Sequence, residues 1–585
     1  MLNFKKEGWN LGEILPGTNN KRIFTLMKKI SFNVKNFEKY KEKIKPTIKA
    51  EKFFSMLKDS EKIAGTLARL EGYTNLNFYT DTSNPLALKL KKQTEQFCAE
   101  KVNQMLFFDF FWKKLDDKNA KRILRKAGTY RYFLKNLRKF RKYILKEEEE
   151  KIINIKDVTG KSVLGSLYSI LTSKFLFEME EKGKKKKFTR DQLTKFIYSN
   201  DKEVRKKAYL TLYVPFKQEK EIISEIYRAI VLDWKNENIN LRGFKKAISI
   251  VNLNNDVPDE AVENLFYSCK KNVSIFQNYF KLKAKILGIQ KFSRYDIYAP
   301  VGKPKEYNFN EAMRFVLDSF RLFNEDFYKN SLKLFKNKHV DSEARKGKRT
   351  GAFNFSIVPD LLPYVSINFA GHFKDIFIVA HELGHAVHGI FASRNSFFNF
   401  HPPLPLAEIS SIFAEMLVYD YLFKKSNLDF KKYHLFSRLD DLYATIQRQA
   451  FFSIFEEEAH KKMENSSMHE IAEIYKKNLK QQFGNSLILP DDFRWEWLTI
   501  PHFYEDPFYC YSYAFSNLLV LSLYERYKKE GKDFIPVFLD LLRAGGSQEP
   551  EKLLAKHGFK IRSTNFWKQG FKLIEGLVKE AKNVG

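Results

Sequence analysis

The amino-acid sequence predicts a mainly α-helical protein with one small β-sheet beside a metal-binding helix. Apolar residues recur at helical spacing along most of the chain, whereas strict alternation is confined to residues 351–357 and 363–369. The string His381-Glu382-Leu383-Gly384-His385 follows soon after.

Residues 36–44 and 59–70 carry amphipathic helical patterns, and Thr80-Asp81-Thr82-Ser83-Asn84-Pro85 reads as a turn. The run Lys146-Glu147-Glu148-Glu149-Glu150-Lys151 reads as a polar break. Helical patterns resume with openings at Asp201 and at Pro258-Asp259 and continue to about Gly288. In the alternating stretches, Phe353, Phe355 and Ile357 share one side, and Tyr364, Ser366 and Asn368 alternate against Val365, Ile367 and Phe369. Neither an internal repeat nor a Gly/Ser linker interrupts the chain, so mobile domains on a tether are not expected.

The 585 residues are ample for a large core and an enclosed site. With 44% hydrophobic and 29% charged residues, the chain reads as folded rather than disordered. Its formal charge of +32 raises the question of an anionic partner. The lysines are scattered, however, and the densest run, Lys182-Gly183-Lys184-Lys185-Lys186-Lys187, reads as a solvated loop without a recognition motif, so no nucleic-acid partner is expected. Cys98, Cys269 and Cys510 are far apart, which excludes a disulfide framework. Met1 to Trp9 lacks the apolar stretch of a secretion signal, and no run approaches the roughly 18 apolar residues of a membrane span, so a cytoplasmic protein without a membrane partner is expected.

Residues 376, 380, 383, 387, 390 and 391 are apolar at helical spacing, and Asp375 stands where a capping side chain belongs. On that helix His381 and His385 lie one turn apart on one face and are able to hold one ion, with Glu382 beside them as a base. Tetrahedral zinc then needs one more protein ligand and keeps one position open for water. Beyond the turn His401-Pro402-Pro403-Leu404-Pro405, a second apolar helical pattern starts at Leu406. Glu408 and Glu415 sit two turns apart near the rim of its buried face, an unfavourable place for carboxylates unless a cation compensates them; zinc would compensate Glu408. His388 faces the same side one turn beyond the ligands and reads as a supporting or structural histidine.

The segment His381-Glu382-Leu383-Gly384-His385-Ala386-Val387-His388, followed by Leu406-Ala407-Glu408-Ile409-Ser410-Ser411 and Glu415, resembles the oligoendopeptidase F branch of the thimet-oligopeptidase-like zinc metallopeptidases. Trp9-Asn10-Leu11, Lys348-Arg349-Thr350-Gly351-Ala352, Asn368-Phe369-Ala370-Gly371 and Gly545-Gly546-Ser547 resemble other segments of that family, so the likeness runs from about residue 9 to about 580. The resemblance implies a two-lobed helical shell around a deep substrate channel. Its regions would be an N-terminal helical region at 1–150, a helical lobe forming one channel wall at 151–340 and the catalytic zinc-peptidase region at 341–585. It implies one zinc ion per chain on His381, His385 and Glu408, with Glu408 as the third ligand. Pro501-His502-Phe503-Tyr504 and Phe508-Tyr509-Cys510-Tyr511-Ser512-Tyr513-Ala514 resemble the substrate segment, which maps oxyanion donation onto His502 and Tyr513, with Tyr511 competing for the hydroxyl role.

The expected function is hydrolysis of internal bonds in short oligopeptides by metal-activated water, with Glu382 as general base. Substrate would add as a strand beside Tyr364 to Phe369, with Ser366, Asn368, Tyr504 and Tyr511 among its contacts. A metal-dependent carboxypeptidase of related helical fold is the alternative, and a basic nucleic-acid-binding protein with a vestigial metal site is a more distant one.

Overall fold

The computed structural model describes residues 4–15, 20–181, 183–302 and 305–584. It is mostly helical with two small sheets, the fold class that the sequence predicts. The chain forms two compact units, each assembled from three separate segments. One comprises Met1–Arg141, Lys305–Lys425 and Arg526–Gly558; the other comprises Lys142–Pro304, Ser426–Glu525 and Phe559–Gly585.

In the first unit the helices Asn20–Glu38, Ala50–Thr80 and Pro85–Lys114 pack around Phe53, Met56, Leu57, Phe108 and Trp112. Asn84 accepts from the amides of Leu86 and Ala87, with Pro85 in the first helical position, so the turn read from the sequence is an N-cap. The pattern read over residues 36–44 ends earlier than expected: the helix stops at Glu38, and Tyr40 and Lys41 close tight turns onto Phe37 and Glu38.

The sheet of this unit has the order Val340–Asp341, Tyr364–Ser366, Phe353–Phe355, with the first pair parallel and the second antiparallel. Buried Lys348 ties it together, its ammonium donating to Asp341 Oδ1 at 2.9 Å and to the Ile367 carbonyl at 2.9 Å. The Tyr364 hydroxyl donates to the Asn10 carbonyl at 3.0 Å, which fastens the start of the chain to the sheet. Strand order corrects one expectation. Tyr364–Ser366 is the central strand and has no free edge for a peptide, because Val365 and Ile367 donate to His339 and Asp341 on one side while Phe353–Phe355 pairs on the other. The edge strands are Val340–Asp341 and Phe353–Phe355.

The second unit holds the helices Lys202–Gln218, Lys220–Trp234, Asp259–Lys271, Leu428–Leu442, Arg448–Lys462 and Thr564–Val584. Asp201 caps the first of them through the amides of Glu203 and Val204, as read from the sequence. The acidic run after Lys146 is a helix opening and not a break: helix Glu147–Thr159 starts there, and Glu149 accepts from the Lys146 amide at 2.8 Å. Acidic residues in a first turn complement the positive end of the helix dipole. The lysine-rich segment is also not a loop. Lys182 lies outside the described residues, but Lys184–Phe188 pairs antiparallel with Phe177–Glu181, and Lys186 and Lys187 meet Glu181 and Glu178 across the hairpin. Opposite charges facing across a two-stranded ribbon offset the repulsion within the lysine run. Among the described residues, no helix is long and apolar enough to cross a membrane; Met1 to Asn3, part of the opening read for a secretion signal, lie outside them.

Candidate metal centre

The HExxH string lies on helix Phe373–Ala392, three residues longer at its start than the apolar pattern suggested. Asp375 holds that start: its Oδ2 accepts from the amides of Ala370, Gly371 and His372 at 2.8, 2.9 and 3.0 Å. Helix Ile409–Lys425 packs against it, and Gly384 permits the approach. A Cβ at Gly384 would meet the Ser410 carbonyl oxygen and the Ser411 Cα at 2.7 Å each. The backbone of the second helix thus occupies the space that any other residue at 384 would need.

Glu408 stands at the junction between the short turn of helix Leu404–Ala407 and helix Ile409–Lys425. Its Oε2 lies 3.4 Å from His381 Nε2 and 3.2 Å from His385 Nε2, and the two ring nitrogens are 3.1 Å apart. The Ser411 hydroxyl donates to the same oxygen at 2.8 Å. His381 Nδ1 lies 2.6 Å from Glu415 Oε1. A proton on Nδ1 donated to Glu415 directs the Nε2 lone pair of His381 at the point shared with His385 and Glu408. The sequence alone assigns Glu415 no role. Its spacing of seven from Glu408 put both on one helix face, but only the packing of the two helices aims it at Nδ1.

The charges respond to each other. Burial works against the charged form of His381, yet the hydrogen bond and charge of Glu415, with Glu408 and Glu382, push its pKa up to about 9. Burial likewise opposes ionised Glu408, and the two histidines with Ser411 bring its pKa down to about 2. Glu382 is 7% exposed, and burial raises its pKa against the pull of both imidazoles. His388 is buried, which lowers its pKa to about 4, and its Nε2 has no hydrogen-bond partner. A cavity of about 280 Å³ adjoins the centre, lined among others by Asn354, Ser356, His385, His388, Phe400 and Ala407. Strand Phe353–Phe355 therefore runs along the same cavity as His385.

The remaining candidates divide by burial. Ser366 is 1% exposed within the sheet, and the Asn368 amide donates to the carbonyls of Arg349 and Gly351. Tyr504 is buried with its ring stacked on Tyr168 at 3.8 Å. Tyr511 is wholly buried and accepts from the Asn255 amide at 3.0 Å. His502 and Tyr513 are half-buried and cluster with Tyr509, the His502 ring lying 6.0 Å from Tyr513 and 5.7 Å from Tyr509. Burial lowers the His502 pKa. Nothing in the sequence distinguishes Tyr509 from its neighbouring tyrosines; only the ring cluster does.

Residues 195–573 match the family described as Peptidase family M3, and residues 112–177 match the one described as Oligopeptidase F. The chain belongs to peptidase family M3. It is a peptidase, a hydrolase of peptide bonds. Oligopeptidase PepF of Bacillus subtilis is 27% identical over 99% of this chain and 87% of its own length. An oligoendopeptidase F homolog of Borreliella burgdorferi is 27% identical over 93% of this chain and 92% of its own. The crystal structure of oligoendopeptidase-F from Enterococcus faecium superposes with a TM-score of 0.73 at 18% identity, covering 97% of this chain and 99% of that one. The fold found here is that of this oligoendopeptidase-F structure.

Proposed function

We propose that this M3 peptidase is a zinc-dependent endopeptidase that cuts internal bonds of short oligopeptides. The observation that carries the reading is the donor triangle of His381, His385 and Glu408, with sides of 3.1, 3.2 and 3.4 Å. Ligand atoms about 2.0–2.1 Å from a tetrahedral zinc are about 3.3 Å from one another, so the triangle fits the ion without rearrangement. Two imidazoles and one carboxylate are also a donor set that zinc accepts. Zinc bound there supplies a Lewis acid for the scissile carbonyl and lowers the pKa of water toward about 7.

The chain's own residues have separable tasks. Glu382, adjoining the first ligand, takes the proton of the attacking water and passes it to the leaving nitrogen. Glu415 holds the His381 ring by its Nδ1 proton. The free edge of Phe353–Phe355 offers main-chain groups to an extended peptide, a role for which Ser366 on the central strand is badly placed. Oxyanion donation is assigned by the family resemblance to His502 and Tyr513. Burial and the bond to Asn255 argue against Tyr511 in that role. The names of the relatives, oligopeptidase and oligoendopeptidase, support short peptides as substrates and internal bonds as targets. Three buried cysteines, none in a disulfide, agree with a reducing compartment, and we place the enzyme in the cytoplasm.

Metal analysis of the purified protein, run beside cleavage of a mixed peptide library read by mass spectrometry, tests the reading. One zinc per chain and cuts at internal bonds are expected. Residue-by-residue removal from the C-terminus would replace it with a carboxypeptidase, and a metal-free inactive protein would overturn it. Tyr513→Phe should lower kcat by about 10²–10³ with little change in KM, the mark of a donor that acts in the transition state.

A further inference from the structure

Phe508 holds a left-handed backbone, φ 63°, which bulky L-residues disfavour strongly. It lies in the short connection between helix His502–Glu505 and helix Tyr511–Glu530. The reversal there separates two sets of side chains. Phe508, Cys510 and Tyr511 are buried, whereas His502, Tyr509 and Tyr513 are half-buried and gather into one ring cluster, with Tyr509 and Tyr513 5.3 Å apart.

Helix Arg448–Lys462 holds the turn from behind, and Trp234 of helix Lys220–Trp234 also lies 6.2 Å from the Phe508 ring. The Phe508 amide donates to Glu456 Oε1 at 2.8 Å, and the His460 ring, one turn further along, packs 4.6 Å from the Phe508 ring. Glu456 is wholly buried and its Oε2 has no hydrogen-bond partner. Tyr227 and Cys510 sense its charge, and neither is a cation. Burial pushes its pKa up to about 8. A carboxyl with one oxygen lacking a hydrogen-bond partner in such a place is costly, and an apolar side chain would fill the space at less cost if packing were its only duty. What the carboxyl does and an apolar side chain cannot do is accept the amide of a strained residue.

We propose that Glu456 is a positioning residue: by accepting the Phe508 amide it holds the left-handed turn that keeps His502 and Tyr513 side by side, and turnover depends on that hydrogen bond. The inference rests on the reading above that His502 and Tyr513 act on the substrate.

The test uses the full-length, metal-loaded protein. Glu456→Met keeps the volume and cannot accept; Glu456→Gln keeps an acceptor; Glu456→Leu replaces the first should it not fold. Displacing catalytic groups by a fraction of an ångström to an ångström costs about 10- to 100-fold in rate. That loss of kcat is expected for Glu456→Met, with metal content intact, KM nearly unchanged, near-wild-type turnover in Glu456→Gln, and little further loss when Glu456→Met is added to Tyr513→Phe. Wild-type kcat in folded Glu456→Met while Tyr513→Phe and His502→Ala are impaired would overturn the positioning role alone. Wild-type kcat in both Tyr513→Phe and His502→Ala would sink the reading beneath it and the proposal together.

Discussion

The two units each contain a cluster of buried charge, built from similar parts to different ends. In the first unit His381, His385 and Glu408 turn two ring nitrogens and a carboxylate oxygen toward one point. In the second, Glu496 accepts from Arg294 at 2.8 Å, from Arg448 at 3.0 Å and from Tyr475 at 2.9 Å. The second cluster is closed: each carboxylate oxygen meets protein donors, and the Arg294 guanidinium also lies 4.9 Å from the Phe493 ring. The first is open. With His381 Nδ1–H donating to Glu415, the Nε2 atoms of His381 and His385 and the Oε2 of Glu408, which also accepts from Ser411, converge on one point. Convergent acceptors call for a cation from outside, and interleaved donors and acceptors need nothing. Arrangement separates a functional cluster from a structural one where residue type does not.

The largest effect that sharpens this contrast is expected from the open cluster. His385→Ala should abolish both zinc binding and turnover; undiminished zinc stoichiometry would show that the triangle is not the metal site. Glu382→Gln should keep the metal and lose about 10²–10⁴ in kcat, since the amide preserves shape but cannot take a proton. Near-wild-type turnover there would mean that another group activates the water.

In the closed cluster the expected effect falls on stability. Glu496→Gln leaves two guanidinium groups uncompensated and should destabilise the fold by about 3 kcal/mol, measured by denaturant unfolding, with unchanged kcat per folded molecule. Burial tends to raise the Glu496 pKa, but Arg294, Arg448 and Tyr475 prevail and lower it. Its charge therefore contributes stability above the ordinary glutamate value, and the contribution disappears as pH falls through the lower folded value. The gap between wild type and Glu496→Gln should be full at neutral pH and narrow below about pH 4. A gap that widened in acid would contradict the assignment. The smallest effect is expected from Glu415→Gln, which should weaken zinc affinity about 10- to 100-fold by loosening the His381 ring, read by competition with a chelator.

Much of the open cluster was legible in the sequence because it is local. A spacing of four on a helix puts His381 and His385 on one face whatever surrounds them, and Glu408 stood out as a carboxylate at the rim of an apolar pattern. The closed cluster left no such trace. Arg294, Arg448, Tyr475 and Glu496 come from four distant stretches, and nothing in their spacing foretells that they meet. The lysine run reads as a loop by composition and is a strand in the structure because its partners, Glu178 and Glu181, precede it across a hairpin that composition alone conceals.

The sequence by itself determined the helical class, the motif helix, and the histidine and carboxylate candidates, since these follow from periodicity and residue chemistry within a few turns of chain. The tertiary structure alone decided the rest. It made Tyr364–Ser366 central and Phe353–Phe355 an edge, aimed Glu415 at His381, and required a glycine at 384 by bringing the Ser410 carbonyl within 2.7 Å of where a Cβ would stand. Strand order and helix approach are set by contacts between residues far apart in the chain, and no local pattern carries that information.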